Sequence, residues 1–111
     1  MHTREPDQPL EDAALAKAIA AAAPRVDTAA EAELYRRLAP RVRHYGLRHL
    51  RDAHAAEDLM QQVLLMTLER LRAGKLRQPE KLASFVLGMS RMVVLEARRG
   101  TARREGLLRI Y

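Results

Sequence analysis

Ala55-Ala56-Glu57-Asp58-Leu59-Met60-Gln61-Gln62-Val63-Leu64-Leu65 reads as a helix that is apolar on one side and rich in acids and amides on the other. Extended to Arg72, it carries Met60, Leu64, Leu68 and Leu71 on one stripe with Val63 beside it. That is the period of a helix packed on a core. Asp58, Gln61, Gln62, Leu65 and Glu69 stand at i, i+3, i+4, i+7 and i+11, one line along the helix surface. Two readings fit this line. It is a solvated face with one stray leucine, or a docking face in which polar groups surround a small apolar anchor. Gly74 ends the helix, as glycine does just beyond a C-terminus.

The flanking segments read as helix too, and no stretch alternates with the period of a half-buried strand. Upstream, Thr28 is a candidate N-cap with Glu31 three residues on as a capping box. Tyr35, Leu38, Val42 and Tyr45 then form an apolar face, and Pro40 is expected to kink this helix or begin a new segment. Arg51 to His54 reads as a short turn. Downstream, Pro79 and Glu80 suit the first turn of a last helix. Its apolar face is Leu82, Phe85, Val86, Met89, Met92 and Val93, and it is expected to stop or bend at Gly100. Residues 10–23 form an Ala-rich helical stretch whose apolar face is thin, Leu15 and Ile19, so a loosely packed or mobile extension is expected there. Residues 1–9 are polar, contain proline and are expected to be disordered. The layout is therefore all-α: a compact bundle of three to four helices over residues 28–105, a flexible N-terminal extension over 1–27, and a tail or linker start over 106–111.

A chain of 111 residues is one small domain that can bury a single core. With no cysteine, disulfides, thiolate metal sites and cysteine nucleophiles are excluded. No apolar run is long enough to span a membrane, and residues 1–6 do not form a signal peptide. The net charge of +6 is uneven. Residues 1–31 carry three basic and six acidic groups, whereas the rest carries 17 basic and eight acidic groups. A basic body of this kind suits a polyanionic partner.

Catalytic constellations are not found. His44, His49 and His54 are five apart, about 140° around a helix, and cannot share a face as a metal pair would. Glu57 and Asp58 lie in a first turn, where the helix dipole explains them. Ser84 and Ser90 lack a nucleophile-elbow context, and there is no Gly-rich phosphate loop. The expectation is a binding protein, not an enzyme, without cofactor or metal. Its second candidate surface is basic. Arg91 and Arg98 share a face of the last helix, Arg99, Arg103 and Arg104 continue the charge, and Lys75 and Arg77 occupy the preceding loop. Such a footprint fits phosphate contact.

Three segments in this order and spacing resemble the second conserved region of a bacterial sigma-70 factor of the extracytoplasmic-function class. They are Leu34-Tyr35-Arg36-Arg37-Leu38-Ala39-Pro40-Arg41-Val42, Ala56-Glu57-Asp58-Leu59-Met60-Gln61-Gln62-Val63, and Phe85-Val86-Leu87-Gly88-Met89-Ser90-Arg91 leading to Glu96-Ala97-Arg98-Arg99. The resemblance covers residues 31–105 and implies a cytoplasmic transcription-initiation domain. By this resemblance Asp58 and Gln61, with Glu57, Gln62 and Leu65 beside them, face the β′ clamp helices of core RNA polymerase. The segment Gly74–Gln78 would take a base flipped out of the −10 promoter element. The last helix would contact the non-template strand and the promoter backbone through Arg91, Arg98, Arg99, Arg103 and Arg104, with Lys75 and Arg77 nearby. An anti-sigma factor is a further partner of this class.

The chain also departs from the family. Phe85 stands where Trp is common, Met92 where Asn is, Leu64 where an aromatic is, and Gln62 replaces a usual Glu. The family's helix-turn-helix for a −35 element is not among these 111 residues; the sequence is expected to be a fragment of a longer factor, with a natural sigma-like stub as the alternative. Two other functions compete: a helical DNA-binding regulator that does not touch polymerase, and a helical protein–protein adaptor.

Overall fold

The computed structural model describes residues 8–110, with side chains over 11–106. Four helices follow in order: α1 Gln8–Ala22, α2 Thr28–Leu50, α3 Ala53–Arg72 and α4 Leu82–Ile110, with a 3-10 turn at Pro79–Lys81 before α4. The all-α architecture is as the sequence implies. Of the residues 1–9 expected to be disordered, 1–7 lie outside the described residues, whereas Gln8 and Pro9 open α1 instead.

Helices α2 and α3 form the principal pair, and the other two pack around them. The core joins Ile19 of α1, Leu34, Leu38 and Val42 of α2, Met60, Val63, Leu64 and Leu71 of α3, and Leu82, Val86, Met89 and Val94 of α4. On α2 the buried stripe is thus Leu34–Leu38–Val42, with Tyr35 at its exposed edge and Tyr45 half-buried. Met92 is also exposed. Ten residues on from Leu82 it has rotated about 80° off the core-facing stripe, at about 100° per residue.

Four local expectations are corrected. The N-cap of α2 is Asp27, whose side chain accepts from the Ala30 N–H, and not Thr28. Glu31 does not reach back to form a capping box, because Arg72 holds its two oxygens at 2.6 and 2.9 Å. Pro40 does not divide α2, which runs unbroken from Thr28 to Leu50. Pro40 and Arg36, whose carbonyl loses its partner, both lie on the solvent side, where water can serve that carbonyl. Gly100 does not end α4. A single helical glycine costs only about 1 kcal/mol, and the Thr101 hydroxyl donates to the Ala97 carbonyl across this point.

The largest revision concerns α1. Its apolar face is thin, as its composition implies, yet the helix is packed against every other element. Ala13, Ala16 and Ile19 are buried, and small side chains let the backbones approach. Asp12, only 2% exposed, accepts from Arg37 Nε at 2.8 Å and lies 3.7 Å from Arg41 Nη1. Glu11 adds a bond from Arg37 Nη1 at 2.7 Å. Burial acts to lower the Arg37 pKa, but the hydrogen bond and charge of Asp12, with Glu11, outweigh it and raise the value.

Candidate functional site

Between α2 and α3 the chain reverses within two residues. Arg51 adopts the left-handed conformation at φ 55°, and its N–H caps Leu47 O. Asp52 is extended and accepts from the Ala55 N–H, capping α3. The helices then run side by side at very short range, because Gly46 faces Ala56. A Cβ on Gly46 would stand 2.9 Å from Ala56 Cα and 3.1 Å from Leu59 Cδ2.

This packing fixes the rotation of α3. Ala56, Leu59, Met60, Val63, Leu64, Thr67 and Leu71 turn inward. The opposite side carries Asp58, Gln61, Gln62, Leu65 and Glu69, and all five are exposed. Leu65 is 56% exposed in the middle of that line. Glu57 is different. It is half-buried and accepts from Arg43 Nε at 3.1 Å, while Arg43 also lies against Met60 Sδ. Its carboxylate is therefore drawn toward α2, at the margin of the line.

The second face begins where α3 ends. Gly74, with φ +67°, turns the chain, and its N–H and that of Lys75 return to Leu71 O and Arg70 O. The segment that follows and the first turn of α4 enclose an open groove of about 540 Å³, lined by Lys75, Leu76, Arg77, Gln78, Lys81, Ser84 and Phe85. Lys75 and Arg77 were candidates on sequence, and Gln78 lay in the segment Gly74–Gln78 to which the resemblance gave a base. Lys81, Ser84 and Phe85 were not singled out for this surface, although they stand at i, i+3 and i+4 and so share a face at the start of the helix. Phe85 packs partly against the core and presents the rest of its ring to the groove.

Along α4 the arginines separate by role. Arg98 donates to the His49 carbonyl at 2.9 Å and so ties α4 to the end of α2. Arg99 pairs with Glu96 at 3.0 Å, but both side chains are more than 60% exposed, and such a pair constrains little. Arg104 lies 3.4 Å from the Thr101 hydroxyl. Among the described residues, Lys75, Arg77, Arg91 and Arg103 are exposed and have no carboxylate within ion-pair distance. The site is therefore two faces of opposite character: a polar, acid-bearing line on α3, and a cationic groove continued by the arginines of α4. Neither holds the convergent acid, base and nucleophile of a catalytic centre. No described helix is long and apolar enough to cross a membrane.

Comparison with protein families matches sigma-70 region 2 over residues 34–104. No match was found among curated proteins or solved structures. The matched segment contains α3 entire, the groove and the arginines of α4 as far as Arg104.

Proposed function

Because the chain belongs to the sigma-70 region 2 family, we propose that it is the polymerase-docking and −10-recognising domain of an extracytoplasmic-function-type sigma factor, at work in the cytoplasm. One observation carries the reading: Asp58, Gln61, Gln62, Leu65 and Glu69 stand exposed in a single line inside the matched segment. In this role the line seats on the β′ clamp helices of core RNA polymerase. Leu65 supplies the apolar anchor, and the acids and amides supply orientation and selectivity. Glu57 contributes from the margin. An anti-sigma factor would act by covering the same line.

The groove and α4 hold the DNA. Lys75, Arg77 and Lys81 supply phosphate contacts, while Gln78 and Ser84 offer hydrogen bonds to a base edge and Phe85 offers a ring to stack on. Arg91, Arg98, Arg99, Arg103 and Arg104 extend the positive field along the promoter backbone. No covalent step is needed. Unpairing and flipping a base costs a few kcal/mol, and stacking plus phosphate contacts offset it, so the opened strand is captured instead of re-pairing.

The decisive experiment is a double substitution, Asp58→Arg with Gln61→Ala. Both residues are exposed, so the fold should survive with its circular dichroism and melting temperature unchanged. Affinity for core RNA polymerase should fall by about tenfold or more, as for a lost interface charge and its neighbour. Undiminished polymerase binding by this folded variant would refute the docking role.

A further inference from the structure

Helix α1 lies wholly outside residues 34–104, which match the family, yet it takes part in the core. A 15-residue helix is marginal alone in water, so its position depends on what fastens it. Two things do: the buried Ala13, Ala16 and Ile19, and the Asp12–Arg37 pair with Glu11 and Arg41 around it. The desolvation of a buried carboxylate offsets much of what its pairing gains, so the Asp12–Arg37 pair adds little net stability while removal of one partner is costly.

The position matters because of what rests on α1. Among the described helices, the 3-10 turn Pro79–Lys81 packs against α1 and against the start of α4, and against neither α2 nor α3. Apart from α1, the turn's anchor is the buried Leu82 that follows it, whose N–H donates to Pro79 O. None of its residues is buried, and Gln78 gives it no side-chain cap. Its internal bond runs from the Lys81 N–H to Gln78 O at 2.9 Å. This same turn carries Lys81 into the groove beside Gln78, Ser84 and Phe85.

We infer that α1 is a strap that positions the groove, and that Asp12, acting through Arg37, is its positioning residue. Asp12 touches no DNA. It fixes α1 on α2, α1 fixes the turn, and the turn fixes Gln78 and Lys81 across the mouth of the groove. The part concerning DNA rests on the proposed function. The mechanical part, that the turn is held by α1, does not.

The test uses the 111-residue chain with Asp12→Asn, which keeps the shape of the side chain and removes its charge. Amide hydrogen exchange is followed at Lys81, whose N–H reports closure of the turn, and at residues 57–69 of α3. Exchange at Lys81 should quicken by about tenfold, the scale of a local opening, while α3 stays protected. Gly46→Ala is the control for general destabilisation, since it disturbs the α2–α3 contact at the other end of α3. It should not quicken Lys81 selectively. If Asp12→Asn does not fold, Glu11→Gln removes only the exposed half of the pairing and should give a smaller change at Lys81, about threefold. Unchanged exchange at Lys81 while the α1 amides open would overturn the strap, whatever the chain binds. In a second arm, a mixed-sequence single-stranded 11-mer should bind the Asp12→Asn chain about three- to tenfold more weakly, with core polymerase binding retained. Faster exchange with unaltered 11-mer binding would refute the link between turn and DNA. Failure of the unsubstituted chain to bind either polymerase or the 11-mer would instead count against the proposed function, with the exchange result still deciding the strap.

Discussion

Two glycines in helix interiors should respond oppositely to the same substitution. Gly46 and Gly88 both occupy helical positions, and Gly→Ala in such a position ordinarily stabilises by about 0.8–1.0 kcal/mol through helix propensity. At Gly88 nothing lies within 4 Å of an added Cβ, so this gain should appear in full. At Gly46 the added atom would stand 2.9 Å from Ala56 Cα and 3.0 Å from Ala56 Cβ. The obstacle is backbone, so no rotation of a side chain relieves it, and α2 and α3 must move apart where the packing is tightest. Overpacking of this kind costs about 1–3 kcal/mol. The difference between the two variants removes the propensity gain they share and isolates the clash, so Gly46→Ala should be about 1–3 kcal/mol less stable than Gly88→Ala. For a domain of this size that separates their melting temperatures by about 4 °C or more. Urea denaturation and thermal melts followed by circular dichroism both measure it. Equal stabilisation by the two substitutions would refute the close approach of α2 and α3, and with it the account of how α3 is rotated to expose Asp58 and Gln61.

Other outcomes follow from the same geometry. Removal of the α3 cap by Asp52→Ala, or of the α2 cap by Asp27→Ala, should each cost about 1 kcal/mol, while Thr28→Ala, one residue inside α2, should stay within about 0.5 kcal/mol; chemical denaturation distinguishes them. Arg99→Ala and Arg103→Ala should each weaken binding of single-stranded promoter DNA and make the plot of log affinity against log salt shallower, by about 0.7 for each phosphate no longer neutralised. An unchanged slope would remove that arginine from the DNA face. Arg98→Ala should in addition loosen the junction with His49, read as faster amide exchange at the end of α2.

The inward and outward sides of α3 were legible from sequence because both depend on period alone. Burial of Met60, Val63, Leu64 and Leu71 follows from their spacing, and the exposure of the Asp58–Glu69 line follows from being opposite to it. What was not legible depends on partners far along the chain. Thr28 with Glu31 has the spacing of a capping box, but Arg72, 41 residues away from Glu31, takes that carboxylate, and the neighbouring Asp27 caps instead. The Ala-rich α1 lacks large apolar groups, and only the fold brings Asp12 to Arg37, 25 residues on. A glycine such as Gly46, set within a helical pattern and away from any turn signal, was the available hint of a close approach. The groove was half visible: Lys75 and Arg77 sit in a recognisable basic loop, whereas Lys81, Ser84 and Phe85 stand at the start of a helix whose basic residues lie further along it.

The length of α3 explains how two faces of opposite character coexist in so small a protein. Twenty residues of helix span about 30 Å, some three Debye lengths at ordinary salt. Asp58 stands near its first turn, and Lys75 lies just past its last. Asp58 therefore does little to neutralise the cations of the groove, whereas Glu69 lies at their end of α3 and lines a shared pocket with Lys75. Gly46 and Gly74 guard the two ends by different means, one by letting α2 approach and the other by turning the chain at φ +67°. The acidic line is thus compatible with a net charge of +6, because Asp58 stands most of a helix length from the groove and Glu69 is a single acid beside several cations. Substitution of Asp58 or Gln61 should change polymerase binding and leave the salt dependence of DNA binding intact, and substitution in the groove should do the reverse. A variant of Asp58, Gln61 or a groove residue that altered both in parallel would mean that the two ends are coupled through something other than charge, and the α1 strap against the Pro79–Lys81 turn is the first place to look for it.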